Sequence, residues 1–198
     1  MKRKSLLMLE LLNDYDNISD KEKDYLKNLE ELDLLGNQLS ALPESIGNLT
    51  QLIALGWGDN KIASLPESIG NLTQLTVLNL WQNQLSTLPE SIGNLTQLRR
   101  LLLCCNRLTS IPKTIGNLTQ LTELYLSYNQ LSTLPEGIVN LTGLTYLYLQ
   151  CNQLSTLPES IGNLTQLKEL YLQNNLWTDQ ATLAARLSKE LPHTTIYW

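Results

Sequence analysis

Residues 75–97 read LTVLNLWQNQLSTLPESIGNLTQ, and this 23-residue string recurs, with few changes, along most of the chain. Its second half varies least: LPESIGNLTQL stands at 42, 65, 88 and 157, with variants at 111 and 134. Seven units open at Leu29, Leu52, Leu75, Leu98, Leu121, Leu144 and Leu167, each on the pattern L-x-x-L-x-L-x-x-N-x-L. The alternation Leu78-Asn79-Leu80 predicts a short strand with one buried face. Leu75 and Leu85 flank it and turn to the same core, Pro89 starts a return arm, and Ile92 and Leu95 anchor that arm. One unit cannot bury its leucines alone, whereas a stack of units can, so the fixed period predicts a solenoid.

Asn83 follows the strand where a buried amide can bond the backbone of adjacent turns. Its equivalents are Asn37, Asn60, Asn106, Asn129, Asn152 and Asn175. Buried polar groups persist only when satisfied, so these seven are expected to form a structural ladder.

The pattern resembles the 23-residue class of leucine-rich repeats, with the LPxxIGNLxxL signature of plant Ras-group-related and bacterial members, over about residues 29–177. It is similar to short leucine-rich-repeat effector proteins of host-associated bacteria. The resemblance implies an α/β repeat solenoid: a curved right-handed superhelix, with parallel strands on the concave side and short turns or 3₁₀ segments on the convex side. Three departures stand out. Trp57 takes the third leucine position of unit two, where Gly56 and Gly58 are expected to make room for the indole. Unit five has Gly137 and Val139 in place of Ser and Gly, and unit seven has Trp177 in place of Leu.

An open solenoid must be capped at both ends. Residues 1–28 are read as an N-terminal helical cap, 29–177 as the seven repeats and 178–198 as a C-terminal helix–strand cap. Ser19-Asp20-Lys21-Glu22 is a capping box that opens a helix through about Lys27. Leu6, Leu9 and Leu11 fit a helix over 5–13 and also fit a degenerate strand; helix is the preferred reading. At the other end, Thr178 or Asp179 starts a helix whose Leu183, Ala184, Leu187 and Leu191 share a face; Pro192 stops it, and 194–198 form a last strand. With both ends capped, the chain reads as complete. Lys2, Arg3 and Lys4 before Leu6–Leu9 mimic a signal peptide, but Glu10 cuts the apolar run short and no small-residue cleavage site follows.

Composition narrows the function. A net charge of −5 argues against a nucleic-acid partner, which needs a cationic face. No apolar run approaches the length of a membrane span. Cys104, Cys105 and Cys151 are odd in number and form no disulfide framework. They point to a reducing setting, cytoplasmic or inside a host cell's cytosol, rather than a disulfide-stabilised extracellular one. The lone histidine, His193, lacks partners for a triad or a metal, the cysteines lie too far apart or diverge, and no Gly-rich phosphate loop is present. No cofactor, metal site or enzymatic activity is therefore expected. Some bacterial members carry a C-terminal ubiquitin-ligase domain with a catalytic Cys; about 20 residues follow the repeats here and none is Cys, so that activity is not expected.

The variable positions of each unit point out of the concave face. One column runs Asp33, Gly56, Asn79, Leu102, Tyr125, Tyr148, Tyr171; its neighbour runs Glu31, Ala54, Val77, Arg100, Glu123, Tyr146, Glu169. Beyond the third leucine come Leu35, Gly58, Trp81, Cys104, Ser127, Gln150, Gln173, and then Gly36, Asp59, Gln82, Cys105, Tyr128, Cys151, Asn174. Trp81, Arg99, Arg100, Leu102, Tyr125, Tyr128, Tyr146, Tyr148 and Tyr171 are the candidate partner-binding residues, because interfaces are rich in Tyr, Trp and Arg. The alternative is a tyrosine ladder that only covers the sheet. Charge is uneven: Glu30, Glu31 and Asp33 make unit one acidic, and Arg99, Arg100, Arg107 and Lys113 make unit four basic. Such a pattern orients a partner, or simply solvates the surface. The expected function is that of a monomeric protein-binding module, an effector or a regulator or inhibitor of another effector or host protein. A housekeeping signalling scaffold is the alternative.

Overall fold

Because every unit has 23 residues, each strand residue pairs with its counterpart 23 positions on. In the computed structural model, residues 2–198 are described, with side chains from Leu7 onward. Eight strands form one parallel sheet in sequence order. They are β1 (Glu31–Asp33), β2 (Ala54–Gly56), β3 (Val77–Asn79), β4 (Arg100–Leu102), β5 (Glu123–Tyr125), β6 (Tyr146–Tyr148), β7 (Glu169–Tyr171) and β8 (Thr195–Tyr197). Each is three residues long with its central residue turned inward: Leu in the first seven, Ile196 in the last. The return arms carry 3₁₀ turns, from Glu44–Asn48 to Glu159–Asn163. Each follows a proline, extended in the first five, whose missing N–H costs nothing at that position. Strands on one side and 3₁₀ turns on the other enclose a single apolar core in which Leu101, Leu124, Ile92 and Ile115 are wholly buried.

A left-handed residue sits at one place in every unit: Gly36, Asp59, Gln82, Cys105, Tyr128, Cys151 and Asn174 all have φ between 52° and 67°. Each directly precedes a ladder asparagine. The reversal swings the chain off the strand and points that asparagine into the core. For six non-glycine residues the conformation costs about 1–2 kcal/mol each, offset by the amide bonds that follow. The amides of Asn60, Asn83, Asn106, Asn129, Asn152 and Asn175 staple neighbouring units. In Asn106, Oδ1 accepts from the Leu85 N–H at 3.0 Å, and Nδ2 donates to the carbonyls of Leu80 and Leu103 at 2.9 and 3.0 Å. Asn37 is different. With no repeat before it, its amide donates only to the Leu35 carbonyl, at 3.2 Å, and its own N–H is held by Asn60.

Residues 2–13 are helical (α1, Lys2–Asn13), so the strand alternative for 5–13 falls away. The side chains of Lys2, Arg3, Lys4 and Leu6 lie outside the described residues. Helix α2 (Asp20–Lys27) carries the full capping box: the Glu22 N–H donates to Ser19 Oγ at 3.3 Å, and the Ser19 N–H donates to Glu22 Oε2 at 2.9 Å. Met8, Leu12 and Leu26 are buried and close the core beside unit one. Helix α3 (Gln180–Glu190) is capped by Asp179 and buries Leu187, with Leu191 buried just beyond; β8 then pairs with β7. Among the described residues no helix is long and apolar enough to cross a membrane, and all three cysteines are free thiols.

Candidate functional site

The column that begins at Asp33 becomes aromatic at β5 and stays so to the last strand. Tyr125, Tyr148 and Tyr171 stack ring on ring, with centroids 4.4 and 4.5 Å apart and interplanar angles of 7° and 15°. A fourth ring, Tyr197, extends the stack at 4.3 Å. The sequence-based list omitted Tyr197 because it lies outside the repeats. The signal was there: Thr195-Ile196-Tyr197 matches Glu169-Leu170-Tyr171, the strand it pairs with. The stack arises from parallel register, which sets identical side chains about 4.8 Å apart.

Carboxylates pin the stack. The Tyr125 hydroxyl donates to Glu123 Oε2 at 2.9 Å, and the Tyr171 hydroxyl donates to Glu169 Oε2 at 2.7 Å. Arg100 Nε donates to the same Glu123 oxygen at 3.0 Å, so Arg100, Glu123 and Tyr125 form one network. The basic character expected of unit four is thus partly neutralised on the strand face. Arg99 is exposed and has no ion-pair partner among the described residues. Leu102 and Tyr146 are half-buried on the face, and Tyr128 is 57% exposed at its rim. Tyr128 is also one of the left-handed residues, at φ 55°. The same position is left-handed in every unit, so this backbone belongs to the repeat.

Burial pushes the Tyr125 phenol up to about 12, with the Glu123 hydrogen bond adding to the effect. Tyr171 is raised mainly by its bond to Glu169, and Tyr148 mainly by burial and then by the Glu169 charge. Burial likewise lifts the Cys104 thiol to about 11. All four shifts have one sign: the folded state holds protons that the unfolded chain releases. Their stabilisation is complete below the ordinary values, about 9 for the thiol and about 10 for the tyrosines, and is lost as pH rises through the folded-state values. The denaturation midpoint is expected to fall steadily as pH climbs from about 9 to 12, and the fall should be shallower in Tyr125→Phe. A flat profile over that range would contradict the pinned stack.

Towards the N-terminus the face is hollow. Unit two presents only Ala54, Gly56 and Gly58 on three adjacent columns. Trp57, expected to be housed by those glycines, is instead wholly buried in the core, where its Nε1 finds no acceptor. The glycines serve the opposite side. A Cβ on Gly58 would lie 2.2 Å from Trp81 Nε1, and one on Gly56 would lie 3.0 Å from Asp33 Oδ1. The indole of Trp81 therefore lies across unit two, and the Asp33 carboxylate leans in from unit one. The hollow between them measures about 280 Å³ and is lined by Glu31, Asp33, Leu35, Ala54, Gly56, Val77, Asn79 and Trp81. A larger hollow of about 510 Å³ lies away from the strand face, between the return arms of units five and six and α3. It had no signal in the sequence. Its cation, Arg186, already donates to the Leu157 and Pro158 carbonyls at 3.4 and 3.5 Å, so the hollow reads as a packing joint. Among the described residues no His, Cys, Asp or Glu group could hold a metal ion.

Comparison with known proteins follows the same lines. Residues 54–128 match the model of a leucine-rich repeat region, 142–185 a model of two leucine-rich repeats, and 28–49 and 120–141 a single leucine-rich repeat. Among solved structures, a leucine-rich-repeat protein of Leptospira interrogans is 28% identical over 91% of this chain, with a TM-score of 0.54. The PEPR1–AtPEP1 crystal structure is 39% identical over 76% of this chain, with a TM-score of 0.71. The chain spans 63% of the length of the first and 22% of the second. No curated protein sequence matches it.

Proposed function

We propose, on the premise that this chain belongs to the leucine-rich-repeat proteins, that it works by holding a folded protein partner against its strand-lined concave face. Leucine-rich-repeat domains are generally protein-interaction modules. The observation that carries the reading is the four-ring tyrosine stack, continued by Leu102 and flanked by the exposed Tyr128. Rings already stacked and pinned by carboxylates lose little freedom when a partner covers them, so the surface is preorganised for binding. From Trp81 to Tyr197 the face crosses units three to seven and the last strand, which at about 4.8 Å per strand is the scale of a standard interface. Covering the sheet and binding a partner are compatible roles for one stack.

Occupancy alone lets such a module inhibit, mask or recruit its target, without turnover. The setting proposed for it is that of an effector, or of a regulator or inhibitor of another effector or host protein, with a housekeeping signalling scaffold as the alternative. The test is affinity capture with the intact chain against Trp81→Ala combined with Tyr148→Ala. Partner recovery is expected to fall at least about tenfold, the scale of two hot-spot truncations, while the unfolding transition stays cooperative. Undiminished recovery by the double variant overturns the assigned surface.

A further inference from the structure

The trough over unit two points to a narrower specificity. We infer that it receives an arginine side chain of the protein partner. The inference rests on the binding function proposed above and assigns chemistry to one part of the same face.

Three features converge. First, the trough is built by missing side chains. Ala54 and Gly56 floor it, Gly58 is buried beneath the Trp81 indole, and the Asp33 carboxylate leans in from the other side. Second, one wall is aromatic: Trp81 lies over Gly58 and lines the slot. Third, the other wall is anionic: Glu31 and Asp33 line it, with Asp33 Oδ1 also accepting from the Leu35 N–H at 3.0 Å.

An apolar floor, an indole and carboxylates together fit a planar cation on a flexible apolar stem. Guanidinium matches this better than ammonium. It stacks on an aromatic face, forks onto carboxylate oxygens and sheds water more readily. The rest of the face changes character abruptly beyond Trp81, to Arg99, Arg100 and the tyrosine stack, so the occupant of the trough would orient the partner along the sheet.

The experiment titrates the full-length, nitrogen-15-labelled chain with N-acetyl-arginine amide and with its neutral isostere, N-acetyl-citrulline amide. Resonances are followed at the Trp81 indole N–H and the Gly56 and Gly58 amides. The arginine compound is expected to shift these signals and to bind about tenfold more tightly than citrulline. Gly56→Val, which fills the slot with a residue strands accept, is expected to abolish the shifts and leave the Tyr148 amide unperturbed. Equal response to both compounds, or arginine shifts that survive Gly56→Val, overturns the inference. Partner capture separates it from the parent reading. Capture weakened by Tyr148→Ala but untouched by Gly56→Val rejects the arginine slot alone. Capture untouched by Tyr148→Ala combined with Trp81→Ala rejects the binding face itself.

Discussion

Gly93→Val is expected to destabilise the fold by about 3 kcal/mol, the upper part of the range for overpacking, although it adds only an apolar side chain. A Cβ at Gly93 would lie 2.5 Å from the Thr114 Cβ and 2.6 Å from the Thr114 carbonyl oxygen. The obstruction is backbone, so no rotamer change relieves it. Thr114 is also tied in place, its Oγ1 donating to the Glu90 carbonyl at 2.7 Å. Unit five shows what accommodation requires. There Val139 replaces the glycine, and Ser160, the residue facing it in the following unit, leaves helical geometry at φ −86° and ψ 19°. A lower urea midpoint at unchanged slope is the expected reading, and Val139→Gly should change the midpoint far less. If Gly93→Val unfolds where the parent does, close stacking of the return arms is not a constraint.

Asn106→Ala should cost a similar amount, about 3 kcal/mol, by a different route. The amide satisfies the Leu85 N–H and the carbonyls of Leu80 and Leu103, all buried, and alanine replaces none of these bonds. Each buried group left unpaired costs about 1–3 kcal/mol, partly recovered by relaxation. Because Asn106 joins units three and four near the middle of the stack, its loss weakens the coupling between the two halves, and the transition should also broaden. Asn37→Ala is the contrast: one local bond at the first unit is lost, and the shift should stay below about 1 kcal/mol. Equal, small shifts at both positions would remove the amides from the account of stability.

Much of this was legible from the period alone. A fixed repeat of 23 residues dictates the sheet register, the inward leucines and the columns on the open face, since residues one period apart must become neighbours. Arg100 and Glu123, which the structure pairs, occupy one column in adjacent units. What the repeat could not reveal was direction along the sheet. Whether Gly58 accommodates Trp57 beneath it or Trp81 beside it depends on which way an indole leans across a neighbouring strand, and packing decides that. The left-handed position was hidden for a similar reason. Gly36, Asp59 and Asn174 mark it by residue type, while Tyr128 and Cys105 adopt it because the asparagine that follows is fastened in the core. Tyr197 was missed because columns were read only as far as the repeats run.

One-to-one pairing every 23 positions gives the molecule an adjustable calliper. Removing or duplicating a whole period between the Trp81 slot and the tyrosine stack would change their separation by a single rung of about 4.8 Å, leaving both jaws intact. Spacing between two recognition points can therefore evolve in discrete clicks, independently of what either point recognises.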